Sequence, residues 1–149
     1  QLIKKIYSYV CGIKMIHKIA ISPCSGLSPN GLITRVACDD LSKENPQVLA
    51  ICIGATAGDR VGFDKLIQKY PLITVNGCNN NCPNKILKGK GVEPVDTIIV
   101  NDELLKTDYF PNDTSRLDEE GEKCVEIIKE IIEKKINKQN DNIIPKKMK

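Results

Sequence analysis

An apolar segment over residues 72–75 runs into Asn76-Gly77 and then into Cys78 and Cys82, with three asparagines between the two cysteines. An aliphatic, β-branched run that closes on a glycine is typical of a buried strand ending in a tight turn. Pro83 follows directly and favours the start of a helix. Both cysteines are therefore predicted at the edge where open α/β sheets place their functional groups.

The same alternation of an apolar strand with an amphipathic helix extends along most of the chain. Strands are predicted over residues 18–22, 48–53, 72–75 and 96–100, and helices over residues 31–43, 59–70, from 83, and from 115 to about 135. Residues 55–58 are predicted to form a loop of small residues. This order predicts a three-layer α/β fold with a mainly parallel four-stranded sheet and helices on both faces. We expect the strand order 2-1-3-4.

A chain of 149 residues is long enough for one domain with its own core. We assign a single cysteine-rich domain to residues 15–136 and an N-terminal extension, helical in its apolar spacing, to residues 1–14. Residues 137–149 are rich in lysine and asparagine and are predicted to be a flexible tail.

Composition excludes several classes of function. The net charge is only +3, with no tryptophan and few aromatic residues, so the basic stripe of a nucleic-acid-binding protein is missing. No apolar segment reaches the roughly 18–20 residues that a membrane helix needs. We therefore expect a cytoplasmic protein whose seven cysteines are reduced thiols. In that setting clustered cysteines favour a metal site or reactive thiols over disulfides.

Four cysteines come at or after the ends of the first three predicted strands: Cys24, Cys52, Cys78 and Cys82. The strand order 2-1-3-4 would bring their sulfurs to one crevice at the carboxyl edge of the sheet. Four thiolates in a small volume repel one another unless a cation neutralises them. A tetrahedral set of four sulfurs is the preference of zinc or of an iron–sulfur centre.

Two further cysteines have a simpler explanation. Cys38 and Cys124 lie on the apolar faces of predicted helices, where a free cysteine acts as a small hydrophobic residue. We predict that both are buried in the core. Cys38 is the reserve ligand, because it lies one helix away from Cys24.

The motifs Cys24-Ser25-Gly26, Cys52 with its small-residue loop, and Asn76-Gly77-Cys78-x₃-Cys82 together resemble the DGC-domain family over residues 18–100. That family is described as zinc-binding, with four cysteines proposed as chelators. The resemblance implies the ligands Cys24, Cys52, Cys78 and Cys82, with Ser25, Gly26, Asn76 and Gly77 supporting them. The family name expects aspartate where this chain has Asn76, which keeps the shape of the turn and loses a charge.

Whether the protein is an enzyme stays open at this point. The alternative to zinc binding is a thiol-based redox or sulfur-transfer enzyme, with Cys24 at a helix N-terminus as nucleophile and Cys78 or Cys82 resolving. An iron–sulfur protein would use the same cysteines. A cysteine-phosphatase cradle is excluded because it needs arginine six positions after the cysteine, where this chain has Asn30.

Overall fold

The computed structural model describes residues 17–143. In chain order the elements are β1 (Ile19–Pro23), α1 (Pro29–Glu44), β2 (Val48–Ala50), α2 (Ile53–Ala57), α3 (Phe63–Lys69), β3 (Leu72–Asn76), α4 (Cys82–Gly89), β4 (Asp96–Ile99), α5 (Val100–Leu104) and α6 (Glu119–Ile143). The predicted extension over residues 1–14 lies outside the described residues. The assignment of one domain to residues 15–136 stays a prediction.

The four strands form one parallel sheet in the order β2-β1-β3-β4. At the centre, Ile21 of β1 is aligned with Ala50 of β2 on one side and with Ile73 of β3 on the other. The predicted fold class and strand order are confirmed. Because all strands run in the same direction, their carboxyl ends lie at one edge of the sheet.

Helices cover both faces of the sheet, and the strands alternate between two hydrophobic cores. Ile19 and Ile21 pack with residues of α1, α5 and α6, whereas the intervening Ala20 packs with residues of α2, α3 and α4. This alternation is what the two-residue period of a strand requires when both faces are covered. The chain leaves β1 and β3 toward opposite faces, so a crevice opens between the carboxyl ends of these two strands.

Three glycines hold two of the strand-end loops against the first turn of α1. A side-chain carbon added at Gly31 would lie 2.2 Å from the backbone oxygen of Gly26, which leaves no space for one. A carbon added at Gly77 would lie 3.2 Å from the backbone nitrogen of Gly31. The loop after β1 and the loop after β3 are therefore both packed, backbone to backbone, on the same helix end.

The bounds of the last helix differ from the prediction. Asp113 accepts the backbone N–H groups of Ser115 and Arg116 at 2.7 and 3.1 Å and forms a turn, so Ser115 does not begin a helix. These hydrogen bonds hold the pKa of the Asp113 carboxyl below its usual value. Instead α6 begins at Glu119, where Asp118 accepts the N–H of Gly121 at 2.7 Å.

The helix α6 also continues past its predicted end to Ile143. Residues 137–143, predicted as the start of a flexible tail, are therefore helical, and residues 144–149 lie outside the described part. Ile128, Ile132 and Ile136 on this helix are buried against the sheet. The helix thus extends about two turns beyond its predicted end near residue 135, into the segment whose lysine-rich composition suggested a flexible tail.

The segment between β2 and β3 also differs. The predicted small-residue loop contains the short helix α2, and the following helix begins at Phe63, later than the predicted residue 59. Asp59 and Gly62 have positive φ angles of 54° and 89°, which interrupt helical geometry between the two helices. Val61 lies between these two residues, outside both helices, and is 97% exposed.

Within residues 17–143, no helix combines the length and the apolar character that crossing a membrane requires.

We predict that Gly31→Ala lowers the free energy of unfolding by about 1–3 kcal/mol, because the added methyl group can fit only if backbone shifts. Gly89→Ala is the matched control, since a carbon there meets nothing within 4 Å. Denaturant unfolding of both variants measures the difference. Equal stability of the two variants would show that the close contact of Gly31 with the Gly26 loop is not needed.

Candidate functional site

The four cysteines predicted as ligands all lie at the carboxyl edge of the sheet. Cys24 directly follows β1, Cys52 precedes α2 just beyond β2, Cys78 lies in the loop after β3, and Cys82 is the first residue of α4. Cys24 is half-buried and the other three are exposed. The strand order thus brings to one edge four residues that are far apart in the sequence.

The backbone of Cys24 is fixed on both sides. Its N–H donates to the carbonyl of Val75 at 2.8 Å and so continues the pairing of β1 with β3. Its carbonyl accepts the hydroxyl of Thr34, on α1, at 2.6 Å. Only the side-chain rotation of Cys24 is left to decide where its sulfur lies.

Three of the four sulfurs accept an N–H from a neighbour in the chain. Gly26 donates to Cys24 Sγ at 3.3 Å and Ala55 donates to Cys52 Sγ at 3.4 Å. The side-chain amide of Asn80 donates to Cys82 Sγ at 3.2 Å. Outer N–H donors of this kind orient and support the ligands of metal sites. Gly26 therefore contacts one of the predicted ligands, and its role as a supporting residue of a metal site stays a prediction.

The residue types fit zinc, but the sulfurs are not gathered around one point. Within residues 17–143, no three histidine, cysteine, aspartate or glutamate side chains are arranged so that they could hold one metal ion. The backbone positions of the four cysteines share an edge, whereas their side chains do not converge. All four could ligate one ion only after side-chain rotation and movement of the exposed loops.

Cys24 does not lie at a helix N-terminus. The helix α1 begins later, at Pro29, with the N–H of Gly31 donating to the hydroxyl of Ser28 at 3.0 Å. The reason offered for a reactive Cys24, its place at a helix N-terminus, is therefore wrong. Cys52 and Cys82 are the cysteines at helix starts, preceding α2 and opening α4, and these two helices contact each other.

Cys38 and Cys124 are buried in the core between the sheet, α1 and α6, as predicted. Burial raises the pKa of the Cys38 thiol, and it also raises the pKa of Cys124, where the charges of Glu120 and Asp118 act in the same direction. A thiol that resists losing its proton is a poor ligand and a poor nucleophile. Cys38 therefore has no support as a reserve ligand in this geometry.

Asn76 belongs to a buried polar network that reaches α4. Its side-chain amide donates to the carbonyl of Ile98 at 3.3 Å and to Asn84 Oδ1 at 2.9 Å. Asn84 in turn donates to the hydroxyl of Thr97 at 3.0 Å. Because Asn84 lies in the first turn of α4, the network holds the helix that begins with Cys82 against the end of β3 and the middle of β4.

One atom of this network has no partner. Asn76 is fully buried, and its side-chain oxygen makes no hydrogen bond with any residue of the described part. The orientation of the amide is set by its donation to Ile98, so the oxygen cannot exchange places with the nitrogen without losing that bond. This is the position where the family motif expects aspartate.

Sequence reasoning missed Asn84 and Thr97 as members of the site. Their only signals in the sequence are the helix start next to Pro83, for Asn84, and the position of Thr97 within a predicted strand. Gly77, predicted as a supporting residue, acts through its backbone against α1. Ser25 is exposed and lines a cavity with Cys52.

The family model described as DGC domain matches residues 20–131, which is well over half of the chain. No curated protein and no solved structure matches the chain.

We predict that Asn76→Asp lowers the free energy of unfolding of metal-free protein by about 1–3 kcal/mol at neutral pH, because a carboxylate cannot donate to Ile98 and is fully desolvated. Burial raises the pKa of such a carboxyl. The loss should therefore be small below about pH 4, the ordinary aspartate pKa, and grow as pH rises through the raised folded-state value.

The control is Asn137→Asp, an exposed position on α6. It should leave the pH dependence of unfolding unchanged. Denaturant unfolding at several pH values, with a chelator present, measures both variants. If Asn76→Asp is as stable as the parent protein at neutral pH, the polar network around residue 76 tolerates a negative charge.

Proposed function

Since the chain belongs to the DGC domain family, we propose that it is a zinc-binding protein whose ligands are the sulfurs of Cys24, Cys52, Cys78 and Cys82. The observation that carries the proposal is the strand order β2-β1-β3-β4, by which these four residues share the carboxyl edge of the sheet. Their thiols are free. A thiolate set without carboxylates is the donor chemistry that zinc prefers.

The bound ion would supply positive charge that neutralises the thiolates. Because the sulfurs are not gathered around one point among the described residues, binding would rotate Cys24 on its fixed backbone and draw the exposed residues Cys52, Cys78 and Cys82 toward it. Coupling between metal binding and local ordering is usual in cysteine sites. Zinc should therefore stabilise the loops that carry the cysteines more than the rest of the sheet.

Exposure of the ligands favours a metal that is exchanged rather than one that only stabilises the fold. A purely structural ion is commonly enclosed, whereas Cys52, Cys78 and Cys82 are open to solvent. The edge of the sheet is also where α/β proteins bind their ligands. We propose a role in metal or ligand binding, delivery or sensing.

A second candidate is a thiol-based redox or sulfur-transfer enzyme that uses Cys24 with Cys78 or Cys82. One observation favours it: these thiols are free and the latter two are exposed. It predicts one thiol that is alkylated much faster than the others in metal-free protein. An iron–sulfur cluster on the same cysteines would instead give a brown protein with visible absorbance after anaerobic purification.

We predict that protein purified anaerobically without a metal-binding tag contains about one zinc per chain. Serine at Cys24, Cys52, Cys78 or Cys82 should each reduce the content to less than about half, because a hydroxyl is a weak zinc ligand. Elemental analysis with a visible spectrum measures this. Added zinc should also raise the thermal midpoint of the parent more than that of the variants.

Cys38→Ala and Cys124→Ala are the matched controls, since both remove a thiol that is buried in the core away from the edge. They should retain the metal even where they reduce stability. Zinc contents below about half an equivalent in the parent, or equal contents in edge and core variants, would contradict the assignment of the four ligands.

A further inference from the structure

A cavity of about 240 Å³ lies between the carboxyl ends of β1 and β2 and the outer face of α1. Ile51 and Ile53 form part of its apolar floor, and both side chains are almost completely buried. Its polar rim consists of Ser25, Arg35, Asp39 and Cys52. An apolar floor with a few polar groups at one side is the usual composition of a site for a small organic molecule.

The charge at this cavity is set by Arg35. Among residues 17–143 its guanidinium has no salt bridge and no side-chain hydrogen bond, whereas Asp39 on the same rim is paired with Lys43 at 2.5 Å. A free guanidinium offers a planar pair of donors that matches a carboxylate in bidentate geometry. The open position at Arg35 therefore favours an anionic ligand.

The surroundings favour a carboxylate over a phosphate. Asp39 on the same rim is already paired with Lys43, so Arg35 alone would neutralise the ligand, which suits a singly charged carboxylate better than a doubly charged phosphate. Phosphate sites also commonly gather several backbone N–H groups, whereas Arg35 is the only cation among the described residues that line the cavity. The apolar floor would accept a short hydrocarbon chain attached to the carboxylate.

We propose that this cavity binds short aliphatic carboxylates, with the carboxylate on Arg35 and the chain directed toward the sulfur of Cys52. Cys52 is exposed and lines the same cavity, and its sulfur is held by the N–H of Ala55 at 3.4 Å. The inference goes beyond metal binding and does not rest on it, because every group it uses belongs to the protein itself.

The test compares alkylation of reduced, chelator-treated protein by iodoacetate and by iodoacetamide, with rates measured per cysteine by peptide mass spectrometry. In both reactions the Cys52 sulfur forms a bond to the CH₂ carbon, the carbon–iodine bond breaks, iodide leaves and the thiol proton passes to the buffer. Only iodoacetate carries the carboxylate that Arg35 would bind.

The iodoacetate-to-iodoacetamide rate ratio at Cys52 should exceed the ratio at Cys78 and Cys82 by about tenfold, the effect of one charge-assisted hydrogen bond. Propionate should slow the reaction of iodoacetate at Cys52 and leave Cys78 unaffected. Arg35→Gln should remove the excess. Arg60→Gln is the control, because Arg60 lies over the ring of Phe63 and does not line the cavity.

Equal ratios at the three cysteines, an excess that survives in Arg35→Gln, or no protection by propionate would each overturn the proposal. The propionate measurement uses the unaltered chain, so it decides the matter even where Arg35→Gln fails to fold. The result is also independent of zinc content, so failure of the carboxylate site and failure of the metal site are distinguished.

Discussion

The pairing of β1 with both β2 and β3 is the interaction on which the rest of the structure depends. It places β1 in the interior of a parallel sheet and makes the chain leave β1 and β3 on opposite faces. The loops after these two strands then meet at the first turn of α1, where Gly26, Gly31 and Gly77 allow the backbones to touch. Without that pairing the cysteines would share neither an edge nor a common support.

Much of this arrangement could be predicted from the sequence, because apolar strands bounded by turn residues alternate with amphipathic helices at regular spacing. The strand order followed from the need to bring the cysteines to one crevice, and the sheet has that order.

The starts of the helices were less predictable, since they depend on which of several polar side chains accepts a hydrogen bond from a backbone N–H. Asp113 and Asp118 both compete with Ser115 near α6, and the structure uses Asp118 for the helix. Asp59 has a left-handed backbone conformation, and α3 therefore begins later than predicted. The sequence gives little indication of that conformation at a residue other than glycine.

The candidate site was predictable as a set of backbone positions and not as a set of side-chain directions. Each cysteine follows a strand, which sequence periodicity can find, whereas the direction of each sulfur depends on local donors such as the N–H groups of Gly26 and Ala55. The polar network of Asn76, Asn84 and Thr97 joins three separate segments, so no local pattern reveals it. The position of Arg35 at a cavity could not be predicted either. In the sequence it is an ordinary exposed helix residue, and only the fold places it beside the ends of β1 and β2.

The sulfurs of the four cysteines do not converge on one point in the described part of the chain, and the electrostatics of thiolates bears on how an ion would gather them. Four negative sulfurs held within bonding distance of one point would repel strongly in the absence of a cation, so a preformed, closed set would destabilise the apoprotein. That repulsion is avoided when the backbone of Cys24 is fixed and the cysteine side chains are free to rotate. The N–H and the carbonyl of Cys24 are hydrogen-bonded to β3 and α1, while Cys52, Cys78 and Cys82 are exposed at the same edge of the sheet. The glycine contacts then keep the loops after β1 and β3 close together, so that the free energy of binding an ion has to rotate side chains and move exposed loops rather than refold the edge of the sheet.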